Sequence, residues 1–557
     1  MHLTPSELLI VMLVVLAAIA LLAEKLRIAY PILLVLAGLG MGLVTKFIPG
    51  LLAPASREFR INTDVVFLLF LPPLLYYAGL LTTWRDFKLN FGHISQLAVG
   101  LVLATMLLVA VTAKGIFPGL SWAHCFLLGA IVSPPDAVAA TAVLERLRVP
   151  KRVGVILEGE SMVNDATALV AYKVALAAMA TGSFSMVDAS WNIFVVSVGG
   201  LAVGLIAAYL AAKLMERIEA PAVESTLALL VPFAAYIPAD KLHVSGVLAA
   251  VAAGIYMGRR LPEIGSARTR LRTMAVWDSL VFILNGLIFI LIGLQLDTIV
   301  RGGLGPTRTG HPVSTVPTGL EGGDVAVGFK HLLVGALVIS VVAIVGRVIW
   351  VFPMAYLPRL IPAVRRRDPK PEWKSVAIVS WAGMRGIVTL AAAYALDEDV
   401  VSDRPKQVIL FISFVVVLIT LVVQGFTLAP LIRFLGIRGD YQQDQREEVE
   451  ARLDAAHAAV SRLTVLSFDD SISPDVINRV RAEYDERIAR LGGKPKDQIN
   501  TELLRPDEQL NRIRREALIA ERKMITFMRD QNIVGDEVLR RILVEIDLEE
   551  AKLLSNA

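Results

Sequence analysis

The chain has 557 residues, 55% of them hydrophobic, with a mean hydropathy of +0.63. Apolar stretches of about 18 to 25 residues recur as far as residue 437, so the composition points to a polytopic helical membrane protein and away from a soluble enzyme. The single cysteine, Cys125, lies in an apolar run and excludes a disulfide framework or a cysteine metal site, and a net charge of only +4 carries no nucleic-acid footprint.

Thirteen apolar segments can be drawn, at roughly 6–23, 30–47, 63–80, 93–112, 122–144, 160–181, 191–213, 223–238, 242–258, 276–297, 332–356, 375–395 and 406–433. Before the first run, Leu8 to Leu22, the only ionisable side chains are His2 and Glu7, with no basic leader or small-residue cleavage site, so the run reads as a span and not as a cleaved leader. Alternate loops are rich in Lys and Arg: Lys25 and Arg27, Arg85 and Lys88, Arg146 to Arg152, Lys213 and Arg217, the arginines of 259–272, and Arg359 to Lys374. Cytoplasmic loops carry this excess, so the expected topology across the cell membrane puts the N-terminus outside and the C-terminal tail in the cytoplasm. The Gly- and Pro-rich stretch Arg301 to Gly323 then becomes a flexible external loop.

Residues 1–181 and 223–433 each supply six spans with a seventh between them, giving the halves opposite orientation, as in an inverted repeat. The fifth segment contains Ser133-Pro134-Pro135-Asp136, and its counterpart seven segments later contains Gly383-Met384-Arg385-Gly386. Pro134 and Pro135 remove backbone donors, and Gly383 and Gly386 favour unwinding, so both segments are expected to be broken helices. Such breaks are tolerated at membrane depth only where they line a cavity or are buried in protein, and a matched pair marks a transport site.

The sixth segment carries Glu160, Ser161, Asn164 and Asp165. Glu160 with Asn164, and Ser161 with Asp165, form two adjacent ridges four residues apart on one helix face. Acids at bilayer depth are costly and by default functional. Asp165, Ser161 and Asp136 offer oxygen ligands to a small hard cation, and Asp165 is assigned as the site of cation and proton binding. Glu160 and Arg385 form the obvious opposite-charge pair, with Asn164 donating to Glu160 as a structural bridge. Asp64, Lys173, Glu224 and Asp278 lie nearer span ends, where snorkelling or interfacial solvation accounts for them. His93, His124 and His243 also lie near span ends, without metal-ligand spacing.

At these residues the chain resembles the cation:proton antiporter-1 family of NhaP-type sodium/proton exchangers. The resemblance rests on Phe70-Leu71-Pro72-Pro73-Leu74-Leu75, Ser133 to Ala139, Glu158-Gly159-Glu160-Ser161 through Asn164-Asp165, and Trp381-Ala382-Gly383-Met384-Arg385-Gly386, and spans roughly residues 6–435. It implies a thirteen-span inverted-repeat fold, a homodimer, an Asn-Asp aspartate that carries the ion, and a bridge between Glu160 and Arg385. Pro135 stands where some archaeal members have Thr, and Val66 to Leu80 of the third segment lacks an acid that some of them bring.

The expected activity is exchange of a monovalent cation, Na+ foremost and otherwise Li+ or K+, for a proton. Low dielectric favours the protonated acid and a nearby cation favours the carboxylate, so the two compete at Asp165. Having Asn164 in place of a second Asp leaves one titrating charge in that pair, which predicts electroneutral one-for-one exchange. A K+/H+ exchanger of the same fold is the alternative, followed by a cation channel; an intramembrane aspartyl protease lacks the motifs.

The expected domains are a transmembrane unit, 1–437, and a cytoplasmic helical tail, 438–557, which holds 20 of the 55 Lys/Arg but 25 of the 51 Asp/Glu. In the tail, Val449 to Leu463, Leu510 to Met528 and a capped segment from Gly535 read as amphipathic helices. No phosphate loop, metal motif or nucleotide fingerprint is present, so no cofactor is expected, and membrane lipid is the remaining partner.

Overall fold

A computed structural model describes residues 5–26, 29–47, 66–147, 149–181, 186–218, 220–264, 267–294, 315–317, 324–326, 329–368, 370–396, 401, 403–437, 441–469, 473–491 and 508–555. Helices α1 (Pro5–Leu26) and α2 (Tyr30–Phe47) are followed by a π-helical turn, Val66–Phe70, that runs into α3 (Leu71–Leu81). α4 (Trp84–Ser95) continues through a second π-helical stretch into α5 (Val102–Ile116). Then come α6 (Trp122–Val132), α7 (Val138–Leu147), α8 (Lys151–Thr181), α9 (Met186–Met215), α10 (Pro221–Lys241), α11 (Gly246–Arg260) and α12 (Ala267–Leu294). The stretch expected as an external loop falls largely outside the described residues; Thr315–Pro317 within it pairs antiparallel with Asp324–Ala326 just beyond it. α13 (Phe329–Tyr356), α14 (Pro362–Arg367), α15 (Trp373–Trp381) and α16 (Ile387–Tyr394) precede α17 (Asp403–Ile419), which passes through the π-helical segment Thr420–Gln424 into α18 (Gly425–Leu435). The tail supplies α19 (Tyr441–Leu466), α20 (Pro474–Leu491), α21 (Glu508–Asp530) and α22 (Asp536–Ser555).

Among the described residues, eight helical segments are long and apolar enough to cross a membrane, and Tyr30–Gly42, Leu68–Leu81 and Trp122–Val132 are shorter apolar helices. Beyond its first turn a helix satisfies its backbone donors within its own segment, which is why a chain this apolar folds as helices in lipid. Two apolar cores organise the membrane part. One gathers α3 and α9 to α12 around Trp277, and the other gathers α1, α2, α5 to α8, α12, α13 and α15 to α18. Small residues let these helices cross at backbone distance. A side chain at Gly254 of α11 would lie 2.2 Å from the Tyr76 carbonyl of α3, and one at Gly293 of α12 would lie 2.3 Å from the Val35 carbonyl of α2.

A separate apolar seam runs between α8 and the α3–α11 pair, formed by Leu71, Leu75, Met162, Ala166, Val247 and Val251. It lies along the helix that carries the acids of the site. In the tail, α19, α21 and α22 share one core around Ala451, Ile525 and Ile542, and α19, α20 and α21 share another around Ala459, Val480 and Ile513.

Candidate functional site

Two interruptions meet in the interior. The first, Ser133 to Ala137, separates α6 from α7, and the second, Ala382 to Gly386, separates α15 from α16. An interruption leaves carbonyls and N–H groups without helical partners, and these must be satisfied in a buried setting. The two breaks satisfy each other. The Asp136 N–H donates to the Met384 carbonyl at 2.6 Å, and Arg385 Nε donates to the Val132 carbonyl at 2.8 Å while Nη1 donates to the Gly383 carbonyl at 2.6 Å. The breaks cross closely: a side chain at Gly386 would fall 1.9 Å from Asp136 Oδ2. Asp136 Oδ1 accepts the Val138 N–H at 2.9 Å and so caps the start of α7.

α8 runs unbroken beside this crossing. Its Glu160 and Asn164 are fully buried, Asp165 is 7% exposed, and Ser161 is half-buried. Ser161 Oγ accepts the Ala137 N–H at 3.4 Å, and Asn164 Nδ2 donates to the Pro135 carbonyl at 3.4 Å, so α8 holds the first break from the side. Asp165 lies within electrostatic reach of Asp136. Pro134 and Pro135 are buried, whereas Asp136 and Ala137 are partly open.

The pair expected between Glu160 and Arg385 is corrected by the structure. Glu160 is held by Arg347 of α13, Nη1 to Oε1 at 2.5 Å and Nη2 to Oε2 at 2.7 Å, with both side chains wholly buried. Arg347 Nη2 also donates to the Val379 carbonyl near the end of α15 at 3.0 Å. Arg385 is within the field of both Glu160 and Arg347, but its hydrogen bonds go to backbone carbonyls at the two breaks. Asn164 likewise serves the Pro135 carbonyl and not Glu160. Arg347 stands alone in the run Ile344-Val345-Gly346-Arg347-Val348-Ile349, and a lone guanidinium in an apolar helix requires a buried partner; that was the signal in the sequence.

Glu224, expected near solvent, is 2% exposed at the start of α10, and its Oε2 meets no donor among the described residues. Lys173 is exposed, and Asp278 accepts a hydrogen bond from Tyr77. No group of three or more His, Cys, Asp or Glu suited to a resident metal occurs among the described residues.

A helical membrane protein in which two interrupted helices cross beside buried carboxylates has the build of an ion transporter. The profile of the family described as "Sodium/hydrogen exchanger, transmembrane" matches residues 11–434, and the chain belongs to that family of antiporters. It is 32% identical over 542 residues to an uncharacterized Na(+)/H(+) exchanger of Mycobacterium tuberculosis, covering 96% of this chain and 94% of that one. It is 30% identical over 413 residues to the sodium, potassium, lithium and rubidium/H(+) antiporter of Bacillus subtilis, covering 70% of this chain and 59% of that one. The fold is similar to that of the sodium proton antiporter MjNhaP1 from Methanocaldococcus jannaschii, with a TM-score of 0.56 at 20% identity, over 78% of this chain and 99% of that one.

Proposed function

We propose that the chain exchanges Na+ for a proton, one for one, with Asp165 binding cation and proton in turn. The observation that carries this reading is the uneven balance of charge at the crossing. Glu160 is neutralised by Arg347, and Asp136 is capped by a backbone N–H, whereas no Lys or Arg among the described residues pairs with the buried Asp165. A carboxylate in such a setting is tolerable only when a proton or a cation neutralises it. Arg347 and Arg385 stand against Glu160, Asp136 and Asp165, so the cluster carries one negative charge when empty and none with a single proton or monovalent cation bound. Equal charge in the two loaded states supports electroneutral exchange.

Ser161 and Asp136 are the further oxygen ligands in this reading, while Arg347, Glu160 and Arg385 hold the frame. Asn164 anchors the broken backbone at Pro135. Only the neutralised site crosses the barrier as α8 and the two breaks move against the apolar seam with α3 and α11, so an empty carboxylate cannot return. A cavity of about 670 Å³ lined by Glu24, Tyr30, Val143, Leu147, Phe282 and Arg433 reaches α7 about one and a half turns beyond Val138. In this reading it is the mouth of the approach from the side assigned to the cytoplasm. The thirteen-span inverted repeat, the external N-terminus, the cytoplasmic tail and a homodimeric assembly complete the proposal.

The test is proton flux in proteoliposomes with an internal pH dye, on addition of Na+, Li+ or K+, for wild type and Asp165→Asn. Cation-dependent flux that needs no charge shunt and is lost in the variant is the expected result. The ions named for the Bacillus subtilis relative make K+ and Li+ part of the same series. Exchange retained by Asp165→Asn removes Asp165 from the reaction, and flux that requires a shunt rules out one-for-one stoichiometry.

A further inference from the structure

The peptide group between Met384 and Arg385 is held at both of its polar ends. Its C=O accepts the Asp136 N–H at 2.6 Å, and its N–H donates to Thr420 Oγ1 at 3.0 Å. A trans peptide is planar, with N–H and C=O directed oppositely, so the group that fixes one end fixes the direction of the other. Thr420 is 1% exposed, and its own hydroxyl proton is committed to the Val416 carbonyl at 2.9 Å, which leaves an oxygen lone pair for Arg385.

Thr420 opens the π-helical segment between α17 and α18. The same segment ends at Gln424, fully buried, whose Nε2 donates to the Trp381 carbonyl at 2.9 Å; one turn on, Thr427 Oγ1 accepts from Trp381 Nε1 at 2.9 Å. One helix therefore fastens the break on both sides, at Trp381 where α15 ends and at Arg385 just before α16 begins. π-helical turns are uncommon and concentrate at functional sites.

We infer that Thr420 is a positioning residue for the cation site, acting through the Met384–Arg385 peptide on Asp136. The chain of links is short: hydroxyl to peptide N–H, peptide C=O to Asp136 N–H, and the Asp136 carboxylate within electrostatic reach of Asp165. Rotation of that peptide moves the Asp136 backbone and with it a carboxylate that shares the site. Thr420 touches neither the ion nor Asp165, so its loss changes cation affinity more than turnover. The inference deepens the exchange mechanism proposed above and rests on it.

The experiment compares Thr420→Val, which keeps shape and removes the acceptor, with Thr420→Ser, which keeps the acceptor, in full-length protein in proteoliposomes. One hydrogen bond corresponds to roughly a two- to tenfold change in an equilibrium. Thr420→Val is expected to raise the apparent KM for Na+ by that factor with maximal flux within about twofold, and to extend proton competition to higher pH; Thr420→Ser is expected to keep the wild-type KM. If Thr420→Val cannot be recovered folded, Thr420→Cys, whose sulfur is a poor acceptor, is expected to show the same rise. A wild-type KM in the acceptor-less variant, or an equal rise in Thr420→Ser, overturns the inference. Asp165→Asn in the same vesicles separates the two levels. If it still exchanges, the proposed mechanism fails; if it is inactive while the acceptor-less variant keeps its KM, only the role of Thr420 fails.

Discussion

Glu160 and Arg347 meet carboxylate to guanidinium in the interior, both side chains wholly buried and joined by two hydrogen bonds. The bond from Arg347 to the Val379 carbonyl ties the end of α15 to α8 through one side chain. A paired ion in this setting is close to energetically neutral, but either half alone is costly.

Arg347→Met is therefore expected to destabilise the protein by about 3 to 5 kcal/mol, because it strands the Glu160 charge. Glu160→Leu combined with Arg347→Met recovers much of that loss, since no charge then remains to be desolvated. Thermal unfolding in detergent checks both. Arg385→Met removes bonds to the Val132 and Gly383 carbonyls and is not expected to be rescued by Glu160→Leu. Equal rescue of the two arginine variants would return Glu160 to Arg385 as its partner.

The helices and their interruptions were legible because each follows from local chemistry: apolar length for the segments, Pro134 and Pro135 for one break, Gly383 and Gly386 for the other. α2 begins and ends where the apolar run does, and α8 starts earlier than the hydropathy of its segment suggests because Lys151 to Glu158 continue the helix beyond the apolar stretch. The choice between Arg347 and Arg385 was not legible. Both are single arginines in apolar runs, and which one reaches Glu160 depends on how α13 and the second break pack against α8. The Asp136 to Met384 bond was hidden for a related reason, since backbone pairing between two distant interruptions leaves no periodicity in the sequence.

Gly386 is open to a sharper test. A methyl there would be placed 1.9 Å from Asp136 Oδ2, too close for any rotamer change at Gly386 to relieve. Gly386→Ala is expected to displace Asp136 and to raise the Na+ KM by about tenfold or more, equivalent to about 1.4 kcal/mol of binding. Gly92→Ala, where nothing lies within 4 Å, serves as the control and is expected to leave flux unchanged. Normal KM in Gly386→Ala would mean that Asp136 does not contribute to the site.

Asp368, between α14 and α15, gathers Arg152 of α8 at 2.6 Å, Arg359 at 2.6 Å and His93 of α4. Burial pushes its carboxyl up, but hydrogen bonds from Arg152 and His93 outweigh burial and hold it at about 2. A depressed carboxylate contributes stability that is present above the ordinary carboxylate range and is lost as pH falls through about 2. Asp368→Asn is thus expected to lower the unfolding temperature by a nearly constant amount from pH 5 to 8. The loss corresponds to roughly 1 to 3 kcal/mol, because the buried Arg359 keeps its backbone acceptors but loses its carboxylate partner. A difference that fades within that range would show that Asp368 is already protonated there.

In the tail, Glu521 shows the opposite sign. It is fully buried, and desolvation raises its carboxyl above the usual range despite Arg487 at 3.2 Å and a hydrogen bond with Tyr484. The stability it contributes is present below the ordinary carboxylate range and is lost as pH rises through its elevated value. Protection factors for α20 and α21 in the full chain, measured by hydrogen exchange with intrinsic rates divided out, are expected to decline as pH rises above the ordinary carboxylate range, and Glu521→Gln is expected to remove that decline. A steady profile in wild type would show that Arg487 offsets the burial of Glu521 after all.

Among the described residues, the tail meets the membrane helices most deeply at one ion pair. Arg270 near the start of α12 is 6% exposed and forks onto Asp547 of α22, 3% exposed, with Nε to Oδ2 at 2.8 Å; Arg522 of α21 shares Asp547 at 2.8 Å and adds Glu550 at 2.6 Å. Around it, Arg540 donates to the Leu81 carbonyl at 3.0 Å, Arg529 to the Arg259 carbonyl at 2.9 Å, and Lys151 at the first residue of α8 pairs with Glu537 at 2.9 Å. The outer bonds are partly solvated and contribute little singly, whereas the shielded Arg270 to Asp547 fork is costly to break from one side. Asp547→Leu alone takes the forked carboxylate from the buried Arg270 and is expected to expose α22 to proteolysis and hydrogen exchange. Asp547→Leu with Arg270→Met is expected to recover part of the docking, with a coupling of about 1 to 3 kcal/mol in a double-mutant cycle. Additive effects of the two substitutions would show that the tail is held by its peripheral contacts and not by this pair.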